Sequence, residues 1–226
     1  MQIDYLQLFP KMAAPATALR KLSWICEAVY EPDFCGPAKK TPEALKTFDH
    51  KESSTQAAIY QWADITNDPE TLIIAFRGTS DKKDVATDVD NDIVKAWLDA
   101  DVEAHKGFVS AAELVYDAFD EFVPPDTSQI WVTGHSLGGA AAHVYARHLL
   151  AAPEHPNLKV TLVTFGSPET FSESEETTEN LKKHTDRLYV HLGVDSARAL
   201  APLRPQLRSA HHSSSCTVAA PGGVFF

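Results

Sequence analysis

Apolar positions along the chain fall into two kinds of run, helical and extended, and they alternate. From residue 17 to 30, Leu19, Leu22, Trp24, Ile25, Ala28 and Val29 recur at helical spacing and predict a mostly apolar helix that packs on a sheet. Residues 55–63 alternate in part and 71–76 are β-branched and continuous, which predicts two strands around the turn residues Asn67, Asp68 and Pro69. Before them, residues 34–51 carry Gly36, Pro37 and Pro42 and predict a loop with at most one helical turn. In 81–106, Val85, Val89, Ile93, Val94, Trp97 and Leu98 are spaced by three and four in an Asp-rich background. That stretch predicts a surface helix or two, with a mobile flap as the functional alternative. Gly107-Phe108 precedes a helix over 109–123, which Pro124-Pro125 stops.

The strongest signal follows. A short apolar strand from Ile130 turns on Gly134-His135-Ser136-Leu137-Gly138 and leaves as an Ala-rich amphipathic helix, with Leu137, Ala140, Ala141, Val144, Tyr145 and Leu149 on its apolar positions. Residues 158–165 form an unbroken apolar run, expected of a strand covered on both faces, and 188–192 give a further strand ending in Gly193-Val194-Asp195. The first 14 residues read as a loose arm, 170–183 as an acidic surface loop or helix, and the chain beyond Arg198 has little periodicity. Strands alternating with helices imply an α/β architecture, a mostly parallel central sheet with helices on both faces.

Composition narrows this. A chain of 226 residues is expected to form one domain spanning 1–226, large enough to bury about 70% of its unfolded surface. A net charge of −11 argues against nucleic acid and against firm docking on anionic lipid, and favours neutral substrates with at most transient contact at a lipid surface. No apolar run reaches the roughly 18 residues of a membrane span. Met1-Gln2-Ile3-Asp4-Tyr5-Leu6 lacks the basic and apolar regions of a signal peptide, so the expected location is cytoplasmic, although a processed secreted form would read the same. Cys26, Cys35 and Cys216 read as buried free thiols, with a local Cys26–Cys35 bridge as the alternative. None of the ten histidines falls in a metal-ligand pattern, and adjacent His211 and His212 cannot face one ion from an extended chain. No metal and no cofactor are expected.

Serine on a tight strand-to-helix turn is lifted clear of the sheet, and the flanking glycines leave room for that turn against neighbouring strands. This is the nucleophile-elbow pattern, G-x-S-x-G. Serine needs a base to take its proton and a third group to orient the base. Asp195 follows the serine in sequence and lies just past the C-terminal end of a strand, whereas Asp186 lies at the opposite end of that strand. A developing oxyanion needs two aimed N–H donors. Leu137 supplies one at the helix N-terminus, and the strand-end turn Arg77-Gly78-Thr79 supplies the other through Thr79.

Ile74-Ala75-Phe76-Arg77-Gly78-Thr79-Ser80, His105-Lys106-Gly107-Phe108, Gly134-His135-Ser136-Leu137-Gly138-Gly139 and Thr164-Phe165-Gly166-Ser167-Pro168 together resemble the class 3 (fungal-type) lipase family. The blocks fall in the family's order and span roughly residues 17–215. The resemblance implies an α/β-hydrolase fold and an enzyme that cleaves acylglycerols or other neutral carboxylic esters through an acyl-enzyme. It implies Ser136 as nucleophile, Asp195 as orienter, Thr79 and Leu137 at the oxyanion hole, and His135 as a neighbour of the nucleophile rather than the base. Two departures follow. The family's flap tryptophan is replaced, the matching pair being Asp84-Val85, which implies little activation at an oil surface. The base also sits unusually: only His211 and His212 follow Asp195, and His212 in His212-Ser213-Ser214 is the choice, with His211 as the alternative. Loss of the base with a missing C-terminal segment is the competing expectation. It would leave a lipase-like binding protein; an acyltransferase using the same site is a third reading.

Overall fold

The computed structural model describes residues 16–31, 41–65, 71–78, 92–95, 102–124, 126–168, 170–172 and 177, and the backbone of 188–193. At its centre is a six-stranded sheet of β1 (Ala44–His50), β2 (Thr55–Gln61), β3 (Leu72–Phe76), β6 (Gln129–His135), β7 (Lys159–Phe165) and β8 (Leu188–Gly193) in the order β1-β2-β3-β6-β7-β8. β1 and β2 pair antiparallel, as do β2 and β3, whereas β3, β6, β7 and β8 run parallel. Helix α1 (Ala16–Ala28) lies on one face; α2 (Lys106–Phe119) and α3 (Leu137–Ala151) lie on the other.

Strand alternation sorts the side chains between the two layers. Leu72, Ile74, Phe76, Ile130, Val132, Val160 and Leu162 point to α2 and α3, into a core that also holds Phe119, Val144 and Leu149. Ile73, Ala75, Trp131 and Val163 point to α1 and meet Leu22, Ile25 and Val29. With both faces of β3, β6 and β7 covered, these strands read as continuous apolar runs. Cys26 is a buried free thiol. Its Sγ lies 3.2 Å from Thr133 Oγ1, which itself donates to the Val163 carbonyl at 2.7 Å. The thiol is therefore the donor in that pair, and burial pushes its pKa up to about 12. A thiol held so far up is inert as a nucleophile.

Two expectations from the sequence need correction. The stretch read as a loop up to residue 51 contains β1. β1 is an edge strand that gives little to the core: Ala44 packs on the α1 side, and Phe48 packs edge-on against Phe119 with ring centroids 6.4 Å apart. A bulge between Ala44 and Lys46 leaves Leu45 exposed, so no apolar alternation is written there. The second is 81–106. Within it, β4 (Ile93–Lys95) and β5 (Glu103–His105) pair antiparallel, with Val94 opposite Ala104. The β-branched Ile93-Val94 decides locally, and the helical spacing across this stretch does not produce a helix at either place. Residues 79–91 and 96–101, on which the flap alternative rests, lie outside the described residues. The following helix also begins earlier than expected, at Lys106, taking Gly107-Phe108 into its first turn. Its last expected turn becomes a 3-10 segment, Asp120–Phe122.

Candidate active site

β6 and α3 meet at Ser136 with no intervening loop. The serine has φ 55° and ψ −131°, a conformation that a side-chain-bearing residue adopts only when its surroundings enforce it. Three contacts do so. The Ser136 N–H donates to the Phe165 carbonyl at 2.9 Å, tying the turn to the end of β7. Its carbonyl accepts from Gly139 N–H at 2.9 Å, opening the first turn of α3. Gly138 presses on the end of β3: a β-carbon there would stand 2.5 Å from the Phe76 carbonyl oxygen and 2.6 Å from the Arg77 carbonyl carbon. Gly134 differs slightly from the expectation. Its β-carbon would strike the backbone of Gly138 and Gly139, the start of the helix, rather than a neighbouring strand.

Serine at the N-cap of a helix ordinarily bonds the first-turn amides through its hydroxyl. Ser136 makes no such capping bond. Leu137 is the first residue of α3, and its N–H has no acceptor within the helix. This end of α3 also carries the positive end of the helix dipole, which favours a developing negative charge.

Beside the elbow opens a cavity of about 330 Å³. Phe76, Phe108, Ala111, Leu137 and Ala141 give it an apolar wall, and Glu52, Ser53, Ser54, Thr55 and Arg77 a polar one; Gly78 and Gly107 complete the lining.

The histidines sort clearly. His143 and His148 lie seven and twelve residues along from Ser136, about 10 and 18 Å up the helix axis at 1.5 Å per residue. Burial pushes His143 down to about 4 and His148 down to about 3, so both rings are neutral core groups. His143 stacks on Phe171 with ring planes 2° apart. His135 is turned to Tyr30, with its Nδ1 3.1 Å from the phenol oxygen, and burial holds its pKa below the ordinary value.

Tyr30 is the residue that sequence reasoning missed. At the end of an apolar helix its periodicity marked only core, and nothing local reports a partner a hundred residues on. It is half-buried in the turn after α1, donating its own N–H to Glu27 at 3.0 Å. Its phenol oxygen takes a hydrogen bond from the Gly78 backbone, and the Arg77 guanidinium lies 5.4 Å above its ring. Burial and the neighbouring Cys26 push this phenol up to about 12, against the lowering effect of Gly78 and Arg77. The hydroxyl therefore stays protonated.

Of the residues assigned from the sequence, Ser136 and Leu137 are placed together at the elbow. Thr79 follows Gly78 and lies outside the described residues, as do Asp195, His211 and His212. The backbone of β8 is described to Gly193, which stands level with Phe165, and Phe165 with His135. The carboxyl ends of β6, β7 and β8 thus reach one edge of the sheet, and two neighbouring strand spacings, about 10 Å, separate β8 from the elbow strand.

The family profile described as Lipase (class 3) matches residues 73–194. No curated protein matches the chain significantly. Among solved structures, a lipase from Rhizopus microsporus var. chinensis superposes with TM-score 0.62 at 21% identity, over 81% of this chain and 68% of that one. The native Rhizomucor miehei lipase propeptide complex gives 0.59 at 22%, over 80% of this chain and 61% of that one. Lipase II from Rhizopus niveus gives 0.62 at 20%, over 87% and 78%. The chain thus spans roughly three-fifths to four-fifths of these neighbours' lengths. They share the α/β-hydrolase fold, which the layered sheet displays.

Proposed function

From the premise that this chain belongs to the class 3 lipase family, we propose that it hydrolyses neutral carboxylic esters of acylglycerol type through a covalent acyl-enzyme. The observation that carries this reading is Ser136 itself: a left-handed backbone held by β3 and β7, no capping bond on its hydroxyl, and a cavity alongside.

Chemistry follows from that placement. The Ser136 hydroxyl oxygen attacks the ester carbonyl as a base removes its proton, forming the C–O bond of a tetrahedral intermediate. The negative carbonyl oxygen is met by Leu137 N–H, with Thr79 N–H as the second donor. Collapse expels the alcohol, which takes the proton back from the base, and leaves the acyl group on Ser136. Water repeats the sequence and releases the carboxylic acid. The base in this reading is His212, or its neighbour His211, oriented by Asp195, two residues beyond the described end of β8. The apolar wall of Phe76, Phe108 and Leu137 suits an acyl chain, and the polar hairpin side suits the alcohol portion.

Two outcomes test it. Separate His211→Ala and His212→Ala variants are expected to split, one losing about 10²–10⁴-fold in kcat/KM on a short-chain ester and the other staying near wild type. If both keep wild-type rates, the base lies elsewhere. The second concerns the substrate's physical state. With Asp84-Val85 where the family carries its flap tryptophan, rates on dissolved short-chain esters are expected to equal or exceed those on emulsified long-chain triglyceride. A steep rise as substrate passes its solubility limit would reverse that expectation.

A further inference from the structure

Tyr30 is joined to both halves of the site, although it comes from a helix on the opposite face of the sheet. α1 packs through Leu22, Ile25 and Cys26, with Val29 of the turn after it, against Ile73, Ala75, Trp131 and Val163, and this packing sets the phenol at the carboxyl edge of β3 and β6. There its oxygen accepts from Gly78 N–H and lies 3.1 Å from His135 Nδ1. A phenol has one proton to give. With Gly78 N–H already pointing at the oxygen, both ring and hydroxyl are satisfied when the O–H donates to Nδ1, leaving the imidazole proton on Nε2. The fit around Gly78 is close: a β-carbon there would stand 2.5 Å from Tyr30 Oη and 2.5 Å from the His135 carbonyl oxygen, and 3.3 Å from Ser136 Cβ. Gly78 directly precedes Thr79, and His135 directly precedes Ser136.

We infer that Tyr30 is a positioning residue, a hydrogen-bonded tie that holds Gly78, at the end of β3, against the His135 elbow and so fixes the groups around the nucleophile. The inference rests on the ester-hydrolase reading and adds to it a residue outside the nucleophile, base and oxyanion donors. A carbonyl oxygen developing charge between two N–H groups is sensitive to their separation. A misplacement of about 1 Å can cost about a hundredfold in rate. Arg77 also lies over the ring, 5.4 Å from Cζ to the ring centroid. That contact survives loss of the hydroxyl, which makes Tyr30→Phe a clean probe.

Tyr30→Phe removes one oxygen and keeps the ring, so the fold is retained, as an unchanged circular dichroism spectrum verifies. Its kcat on a short-chain ester is expected to fall by about 10- to 100-fold with KM within about twofold. Affinity for a trifluoromethyl ketone, which forms the tetrahedral oxyanion on serine, is expected to fall in proportion to kcat/KM. A structural role alone would not move that affinity. Amide hydrogen exchange at Gly78, read by NMR, is expected to quicken at least tenfold as its acceptor is lost. Both changes are required: a kcat unchanged within twofold, or a slow Gly78 amide in the variant, overturns the tie. A wild-type protein that is inert and unlabelled by a fluorophosphonate counts against the hydrolase reading instead. In that case Gly78 exchange alone decides whether the Tyr30 bond to the turn is real.

Discussion

Ser136→Ala is expected to abolish turnover of short-chain esters and all labelling by a fluorophosphonate, with the fold intact. Losses of about 10⁶-fold are typical when the nucleophile of such a unit is removed. What survives is the catalysis of the oxyanion donors and binding alone, about 10³–10⁴-fold over water. The wild-type chain should take up one equivalent of label and the variant none, measured by intact mass. The stability change should be small or even favourable, because Ser136 makes no capping bond that Ala would lose. Alanine does keep the β-carbon that the left-handed backbone tolerates poorly, so the strain at φ 55° remains in the variant. Label that persists on Ser136→Ala would show that another serine is the nucleophile.

The second large effect is expected at Gly138. On an ordinary helix Gly→Ala stabilises by up to about 1 kcal/mol. Here the added carbon meets the Phe76 carbonyl oxygen at 2.5 Å and the Arg77 carbonyl carbon at 2.6 Å. Both are backbone atoms, and neither can rotate aside. Either α3 lifts or the end of β3 retreats, and overpacking of this kind costs about 1–3 kcal/mol. Retreat of β3 carries Gly78 with it, away from the Ser136 turn it packs against. Gly138→Ala is therefore expected to lose about a hundredfold or more in kcat/KM, with its melting temperature lowered by several degrees. A variant that melts and turns over like wild type would mean that the helix does not press on β3 at this point.

How much of this could be read along the chain depended on where burial is written. β3, β6 and β7 are covered on both faces, so Ile73, Ile74, Val132, Val163 and their neighbours form uninterrupted apolar runs that no helix would need. The turn at Ser136 is legible because its demands fall on consecutive residues. β1 is hidden for the opposite reason: with one edge open and only Ala44 and Phe48 packed on the core, its composition matches a loop. Three-residue strands such as β4 and β5 are too short for a period to show. Tyr30 escaped because its importance lies in a hydrogen bond to His135, which α1 packing creates and no local pattern encodes. Two expected groups of the site, Leu137 and Ser136, stand together, whereas Thr79, Asp195 and His212 lie outside the described residues, and the family match over 73–194 stops short of the last two.

The bond from Ser136 N–H to Phe165 and the pressure of Gly138 on Phe76 have a consequence for how this site comes into being. The segment from β6 through α3 holds the whole signature, yet by itself it supplies only one of the three contacts that keep serine in its left-handed state, the Gly139 N–H bond to the Ser136 carbonyl. One of the other two restraints is supplied by a strand synthesised well before it and the second by a strand synthesised after it. The strained turn at Ser136 is thus completed by long-range closure, when β3 and β7 have paired with β6, and slow steps of that kind dominate the folding of parallel sheets. A nascent or partly folded chain would carry the motif without the reactivity. On the proposed reading, such a chain is spared a hydrolytic serine until its sheet is complete.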